Sequence, residues 1–226
     1  MSYRNVVYNN RDQCINLFTW DKDGKRIMHT CSFEPYLYVE DNRGDKTSIY
    51  GTKVKKKKFN NRFNRSRFLS DSGIKRVFEN APPQQQFLLD LYWQENEKPE
   101  FNTHPLRVCL IDIETYSPDS FPDVDNPTHV VNVITCYDNF TKKFHTFGIK
   151  PYNGKGRPDL NYVHCRDERD MFIKFLEYLE SDYPDILSGW NSEFFDIPYI
   201  VGRIEHILGQ EYVNRLSPLG RVYSRL

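Results

Sequence analysis

Asp112 and Glu114 close the apolar run Arg107-Val-Cys-Leu-Ile-Asp-Ile-Glu114, with one residue between them. Alternate residues of a β-strand share a face, so this spacing points both carboxylates the same way. Two like charges held side by side repel, and a divalent cation relieves the repulsion. A strand that merely ends in two solvated acids has the same spelling. A third acid, Asp196, ends the segment Asn191-Ser-Glu-Phe-Phe-Asp196. It follows a short apolar run and opens a helical pattern, and a helix N-terminus stabilises a carboxylate. A plain first-turn acid is the alternative. Strand carboxyl ends are where open α/β sheets place their sites. If the strands before Asp112 and before Asn191 are neighbours, the three acids converge.

The elements that must carry these acids can be read from the pattern. Leu106–Ile113, Val130–Tyr137 and Lys143–Ile149 read as strands, the last two joined at Asp138-Asn139. A loop with Pro151, Gly154, Gly156 and Pro158 runs to about Asn161. Arg169–Ser181 is expected to be a helix, with Met171, Phe172, Phe175, Leu176 and Leu179 on one face. Asp185–Trp190 reads as a short strand. A helix follows from about Phe195, with Pro198 in its first turn and Gly209 as its C-cap. Three strands, helix, strand, helix is a ribonuclease-H-like order. The first three strands suit an antiparallel meander, and the fourth can join in parallel by a right-handed crossover.

Residues 1 to about 50 read as short antiparallel strands, including Cys14–Trp20, with turns at Asp21–Gly24 and Asp41–Gly44 and a break at Pro35. The chain carries 31 basic and 31 acidic residues, so its net charge names no partner. Local charge does. Lys53–Arg76 holds ten basic residues against the single acid Asp71, interleaved with Phe59, Phe63 and Phe68. Cations that track phosphates and rings that stack on bases suit single-stranded nucleic acid. A solvated basic loop pinned to a core by its phenylalanines fits equally. Val77–Asn96 reads as a helix interrupted at Pro82-Pro83, with Leu88, Leu89 and Leu91 facing inward. Glu97–Pro105, polar and with two prolines, is the expected boundary between a lobe at 1–104 and a domain at 105–226.

Five scattered cysteines without a Cys-x-x-Cys pair favour neither a zinc ribbon nor a disulfide framework. The composition points to a reducing, cytosolic setting. No run has the length and apolarity of a bilayer span, and no membrane is expected.

Asp112-Ile-Glu114, Ser117-Pro-Asp-Ser-Phe-Pro122, Ile134-Thr-Cys-Tyr-Asp138 and Ser188-Gly-Trp-Asn-Ser-Glu-Phe-Phe-Asp-Ile-Pro-Tyr199 together resemble the proofreading exonuclease domain of family B DNA polymerases. The resemblance is greatest to the polymerases of T-even-type bacteriophages. Phe33-Glu-Pro-Tyr-Leu-Tyr38, Ile49-Tyr-Gly51 and Arg215-Leu-Ser-Pro218 extend it over most of the chain. It implies an α/β fold: a mixed-sheet, ribonuclease-H-like exonuclease domain behind a small β-rich α+β lobe. It implies that Asp112, Glu114 and Asp196 belong to a four-carboxylate site for two Mg²⁺ or Mn²⁺ ions. Two such ions about 4 Å apart activate water and stabilise the leaving oxygen in phosphodiester hydrolysis. Phe121 would stack on the frayed terminal base, and Asn191 and Phe195 would shape the pocket for it. Lys55, Lys56, Lys57, Lys58, Arg62, Arg65 and Arg67 would form a nucleic-acid patch.

The resemblance further implies a single-stranded DNA 3′ end and a primer-template as partners, in the cytoplasm of an infected bacterial host. An RNA operator is a further candidate. The family's third motif, Tyr-x-x-x-Asp, is expected beyond Leu226; Tyr8–Asp12 and Tyr178–Asp182 match its spacing by chance. The chain is therefore expected to be a fragment or one piece of a split polymerase, weak or inactive without its C-terminal partner. The alternative is a nucleic-acid-binding or docking module.

Overall fold

A computed structural model describes residues 3–71, 76–95, 105–118 and 120–222. The chain divides into two compact units, 1–104 and 105–226. The expected boundary segment, 97–105, lies almost wholly outside the described residues.

The first unit runs β1 (Asn5–Asn9), β2 (Cys14–Trp20), β3 (Arg26–Ser32), β4 (Tyr36–Glu40), β5 (Lys46–Thr47), β6 (Lys53–Lys58), α1 (Arg62–Asp71), β7 (Val77–Phe78) and α2 (Pro83–Glu95). Strands β1–β2–β3 form an antiparallel sheet, and a second sheet has the order β5–β6–β4–β7. The break at Pro35 therefore moves the chain from one sheet to the next. Val77 and Phe78 are a strand paired with Tyr38 and Val39, not the start of a helix. Pro82-Pro83 is the reason: the residue before a proline avoids the α region, so the helix begins at Pro83. Leu89, expected to face inward, is 51 % exposed. Gln86 holds this end together. Its buried amide donates to the carbonyls of Tyr36 and Glu79 at 2.7 Å and accepts from the Tyr36 N–H.

The second unit runs β8 (Val108–Thr115), β9 (Val131–Asp138), β10 (Lys143–Gly148), β11 (Leu160–His164), α3 (Glu168–Ser181), β12 (Ile186–Ser188), α4 (Asp196–Leu208) and α5 (Gln210–Asn214). Its sheet order is β11–β10–β9–β8–β12. The meander β8–β9–β10 is antiparallel, and β12 joins β8 in parallel. One strand was not expected. β11 lies parallel to β10, so four strands precede α3. Its five residues directly follow a loop rich in glycine and proline, which hides so short an alternation.

The α3 face Met171, Phe172, Phe175, Leu176 and Leu179 is buried against Ile111, Ile134 and Cys136 of the sheet and Tyr199, Ile200 and Ile204 of α4. Each such side chain contributes about 1.5–3 kcal/mol of burial. Asp167 caps α3, accepting from the Asp170 N–H. The helices cover the sheet face of Ile111 and Ile113. The alternate residues Leu110, Asp112 and Glu114 point the other way and are exposed.

Candidate active site

β12 pairs with β8 only as far as Leu110. Beyond that point the edge of β8 needs another partner, and Asp196 supplies one. Its Oδ1 accepts the Ile113 N–H at 3.1 Å. Ile113 is the residue between Asp112 and Glu114, so the third acid is anchored to the backbone of the pair. Asp196 is the first residue of α4 and is 3 % exposed. Burial pushes its carboxyl above the usual range. The Ile113 and Asp196 N–H groups oppose that rise, and the charges of Asp112 and Glu114 add to it. A cation at the pair would relieve this repulsion.

Gly189 makes the approach of the two segments possible. A Cβ there would lie 2.2 Å from the Ile111 carbonyl oxygen. The turn that follows has Asn191 at φ 57°, a left-handed conformation that asparagine tolerates. The Asn191 carbonyl accepts from the N–H groups of Phe194 and Phe195. Among the described residues no three His, Cys, Asp or Glu side chains are gathered closely enough to hold a metal ion as they stand. The donor set nevertheless fits a hard divalent cation: it is all oxygen, two carboxylates are exposed on one face, and the third is under repulsion.

Aromatic rings line the same end of the sheet. Phe121 is 82 % exposed, and its ring centroid lies 5.4 Å from that of Phe195. Phe195 stacks in turn on buried Tyr199 at 5.5 Å. Asn191 is exposed and Phe195 is half-buried. Trp190 (94 % exposed) and Phe194 (73 % exposed) flank the turn.

Arg203 and Glu168 were not among the expected site residues. Both are buried, and they pair through the Arg203 Nε, which donates to Glu168 Oε1 at 2.9 Å, and through a second contact, Nη2 to Oε2. Their signal was weak: an arginine within an apolar helical stripe, and a glutamate at a helix start.

In the first unit the basic segment splits between β6 and α1. Lys56 lies 3.5 Å from the Tyr36 ring centroid and pairs with Asp90 at 3.4 Å. Lys58 pairs with Glu34, and Arg67 with Asp71. Lys57 sits over the Phe68 ring. Arg65 corrects the expectation: it is 5 % exposed and donates to the Ala81 carbonyl, so it cannot meet an external phosphate. Lys55 and Arg62 are exposed and take part in no ion pair among the described residues. Phe59 is buried against Phe68, whereas Phe63 is 73 % exposed.

Comparison with known proteins places this geometry in context. Residues 59–225 match the DNA polymerase family B, exonuclease domain. The DNA-directed DNA polymerase of Escherichia phage RB69 is 28 % identical over 232 aligned positions, which cover 88 % of this chain and 25 % of that protein. That of Enterobacteria phage T4 is 32 % identical over 145 positions, covering 54 % of this chain and 16 % of that protein. A DNA polymerase beta of African swine fever virus is 31 % identical over 117 positions, covering 49 % of this chain and 10 % of that protein. The chain spans a quarter or less of the length of these relatives.

Proposed function

This chain belongs to the family B DNA polymerases, through their exonuclease domain, and from that premise we propose that it is the N-terminal portion of a phage replicative DNA polymerase. In this reading it carries most of a 3′→5′ proofreading exonuclease site, with polymerase activity elsewhere. The observation that carries the reading is the anchoring of Asp196 on the Ile113 N–H, between exposed Asp112 and Glu114.

Asp112, Glu114 and Asp196 would hold Mg²⁺ or Mn²⁺, two ions in the complete site. When bound, such ions lower the pKa of water and neutralise charge on the phosphoryl oxygens. The residues of the chain do the rest. Asp196, fixed on the backbone, keeps the α4 end of the site in register with β8. Phe121, exposed on the Phe195 ring, stacks against the 3′-terminal base. Asn191 and Phe195 shape the pocket beside it. Lys55, Lys57 and Arg62 are the cations best placed to meet a phosphate backbone. Lys56, Lys58 and Arg67 would first have to exchange exposed carboxylate partners, which costs little.

The substrates proposed are the 3′ end of single-stranded DNA and a primer-template, in the cytoplasm of an infected bacterial host. The remaining polymerase polypeptide is the proposed protein partner. An RNA operator is a second ligand for the first unit. The chain alone should be weak and should gain activity from that partner.

The test is hydrolysis of a 5′-labelled single-stranded DNA with Mn²⁺, with and without the rest of a phage polymerase. Stepwise shortening from the 3′ end, abolished by Asp112→Ala, is expected. Cleavage unaffected by Asp112→Ala, or no cleavage even with the partner, would overturn the proposal.

A further inference from the structure

We propose that Arg203 and Glu168 are positioning residues that bind the Pro127–Val131 strap to helix α4, and thereby set the Phe121 loop and the Glu114 end of β8 against Asp196. The consequence for hydrolysis rests on the nuclease reading above; the strap itself does not.

Four backbone groups of the strap are held by side chains. Arg203 Nη1 donates to the carbonyls of Pro127 at 3.1 Å and Thr128 at 3.2 Å. The Tyr199 hydroxyl donates to the His129 carbonyl at 2.8 Å. Glu168 Oε1 accepts the Val131 N–H at 2.8 Å, while also accepting from Arg203. Pro127 lies so close to α4 that a Cβ at Gly202 would meet its Cγ at 2.7 Å. The loop is closed at its base, where the Tyr116 N–H donates to the Val130 carbonyl at 2.8 Å and Thr115 pairs with Val131 across a bulge. Helix α4 thus grips the end of β8 twice. Asp196 holds Ile113 directly. Tyr199 and Arg203, lying one and two turns further along the helix, hold Thr115 and Tyr116 through the strap.

Stability alone does not account for an ion pair at this place. Buried pairs are often matched or bettered by apolar residues of similar volume, because both charges must be desolvated. An apolar pair cannot supply donors to the Pro127 and Thr128 carbonyls. Those donors are the particular contribution of Arg203, and they act on the segment between Phe121 and β9.

The experiment uses the full chain carrying Arg203→Met together with Glu168→Gln, a pair in which the introduced amide oxygen can still accept from the Val131 N–H. The denaturation midpoint, amide hydrogen exchange and Mn²⁺-dependent hydrolysis are measured together, with Phe121→Ala alone and in combination. The expected result is an unchanged midpoint, exchange at least tenfold faster at the hydrogen-bonded amides of Thr128, Val131 and Tyr116 with the centre of α4 unchanged, and a KM for single-stranded DNA raised about tenfold. In the Phe121→Ala background the KM effect should disappear, because the strap acts through that ring. Arg203→Lys, which restores one charged donor, should recover part of the protection. Unchanged exchange in the strap, exchange that rises everywhere with a falling midpoint, or KM effects that simply add would overturn the inference. If the unsubstituted chain shows no hydrolysis with its partner, the nuclease reading fails, and the exchange result alone decides the strap.

Discussion

Replacing Asp196 by Ala and by Asn separates the two roles this residue has in the structure. Its carboxylate accepts the buried Ile113 N–H, and its charge is disfavoured by burial and by Asp112 and Glu114. Alanine removes the acceptor. An orphaned buried N–H costs about 1–3 kcal/mol, and relief of the repulsion offsets part of that, leaving a net loss of about 1–2 kcal/mol. Asparagine keeps an acceptor and removes the charge, so at neutral pH without metal it should be neutral or stabilising. The sign with pH follows. The folded carboxyl lies above its unfolded value of about 3.9, so below that value both states are protonated and Asp196 carries no penalty. The penalty builds as pH rises from the unfolded value to the folded one and stays complete above it. The advantage of Asp196→Asn should therefore be absent near pH 3.5 and fully present at pH 8. Urea unfolding in EDTA across this range measures it. Equal destabilisation by both substitutions, or an advantage for Asn that shrinks as pH rises, would refute the reasoning.

Other outcomes follow from the same geometry. Arg107→Leu should cost about 3–5 kcal/mol in urea unfolding, because Asp138 is fully buried and accepts from Arg107 at 2.8 Å. Burial alone would raise the Asp138 carboxyl, yet Arg107 and the Thr141 and Phe140 N–H groups hold it below the usual range. The stability from this pairing is present above about pH 3.9 and is lost as pH falls through the lower folded value, so the cost of Arg107→Leu should shrink there. Gly189→Ala should destabilise by at least about 1–3 kcal/mol, since its Cβ would strike the Ile111 carbonyl; a change under about 0.5 kcal/mol would contradict the close approach. Neutralising Lys55 and Arg62 should weaken single-stranded DNA binding and lower its salt dependence by about two phosphate contacts. Arg65→Gln should instead lower the unfolding midpoint of the first unit, without changing the salt slope.

What could be read in advance was whatever repeats along a single element. The alternation in β8 put Asp112 and Glu114 on one face, and the stripe from Met171 to Leu179 marked α3. Strand, helix, strand order allowed a parallel fourth strand but left its neighbour open; the structure pairs β12 with β8, which brings Asp196 to the acid pair. What escaped were features that exist only across elements. Arg203 and Glu168 lie 35 residues apart, and an arginine within an apolar stripe or a glutamate at a helix start does not by itself name its partner. Arg65 carries the spelling of a phosphate-binding run, yet it is buried and the Ala81 carbonyl takes it. β11 was lost because five residues give too short an alternation beside a glycine-rich loop. Leu89 was misplaced because an apolar run on a helix does not by itself say which of its members faces out.

The central claim is that Asp112, Glu114 and Asp196 form a divalent-cation site. A Mn²⁺ titration followed by electron paramagnetic resonance tests it most directly, on the unsubstituted chain and on Asp112→Asn, Glu114→Gln and Asp196→Asn. Saturable binding to the unsubstituted chain, weakened at least tenfold by each substitution, is the predicted result. Binding equal in all four proteins, or none with the polymerase partner present, would contradict the account.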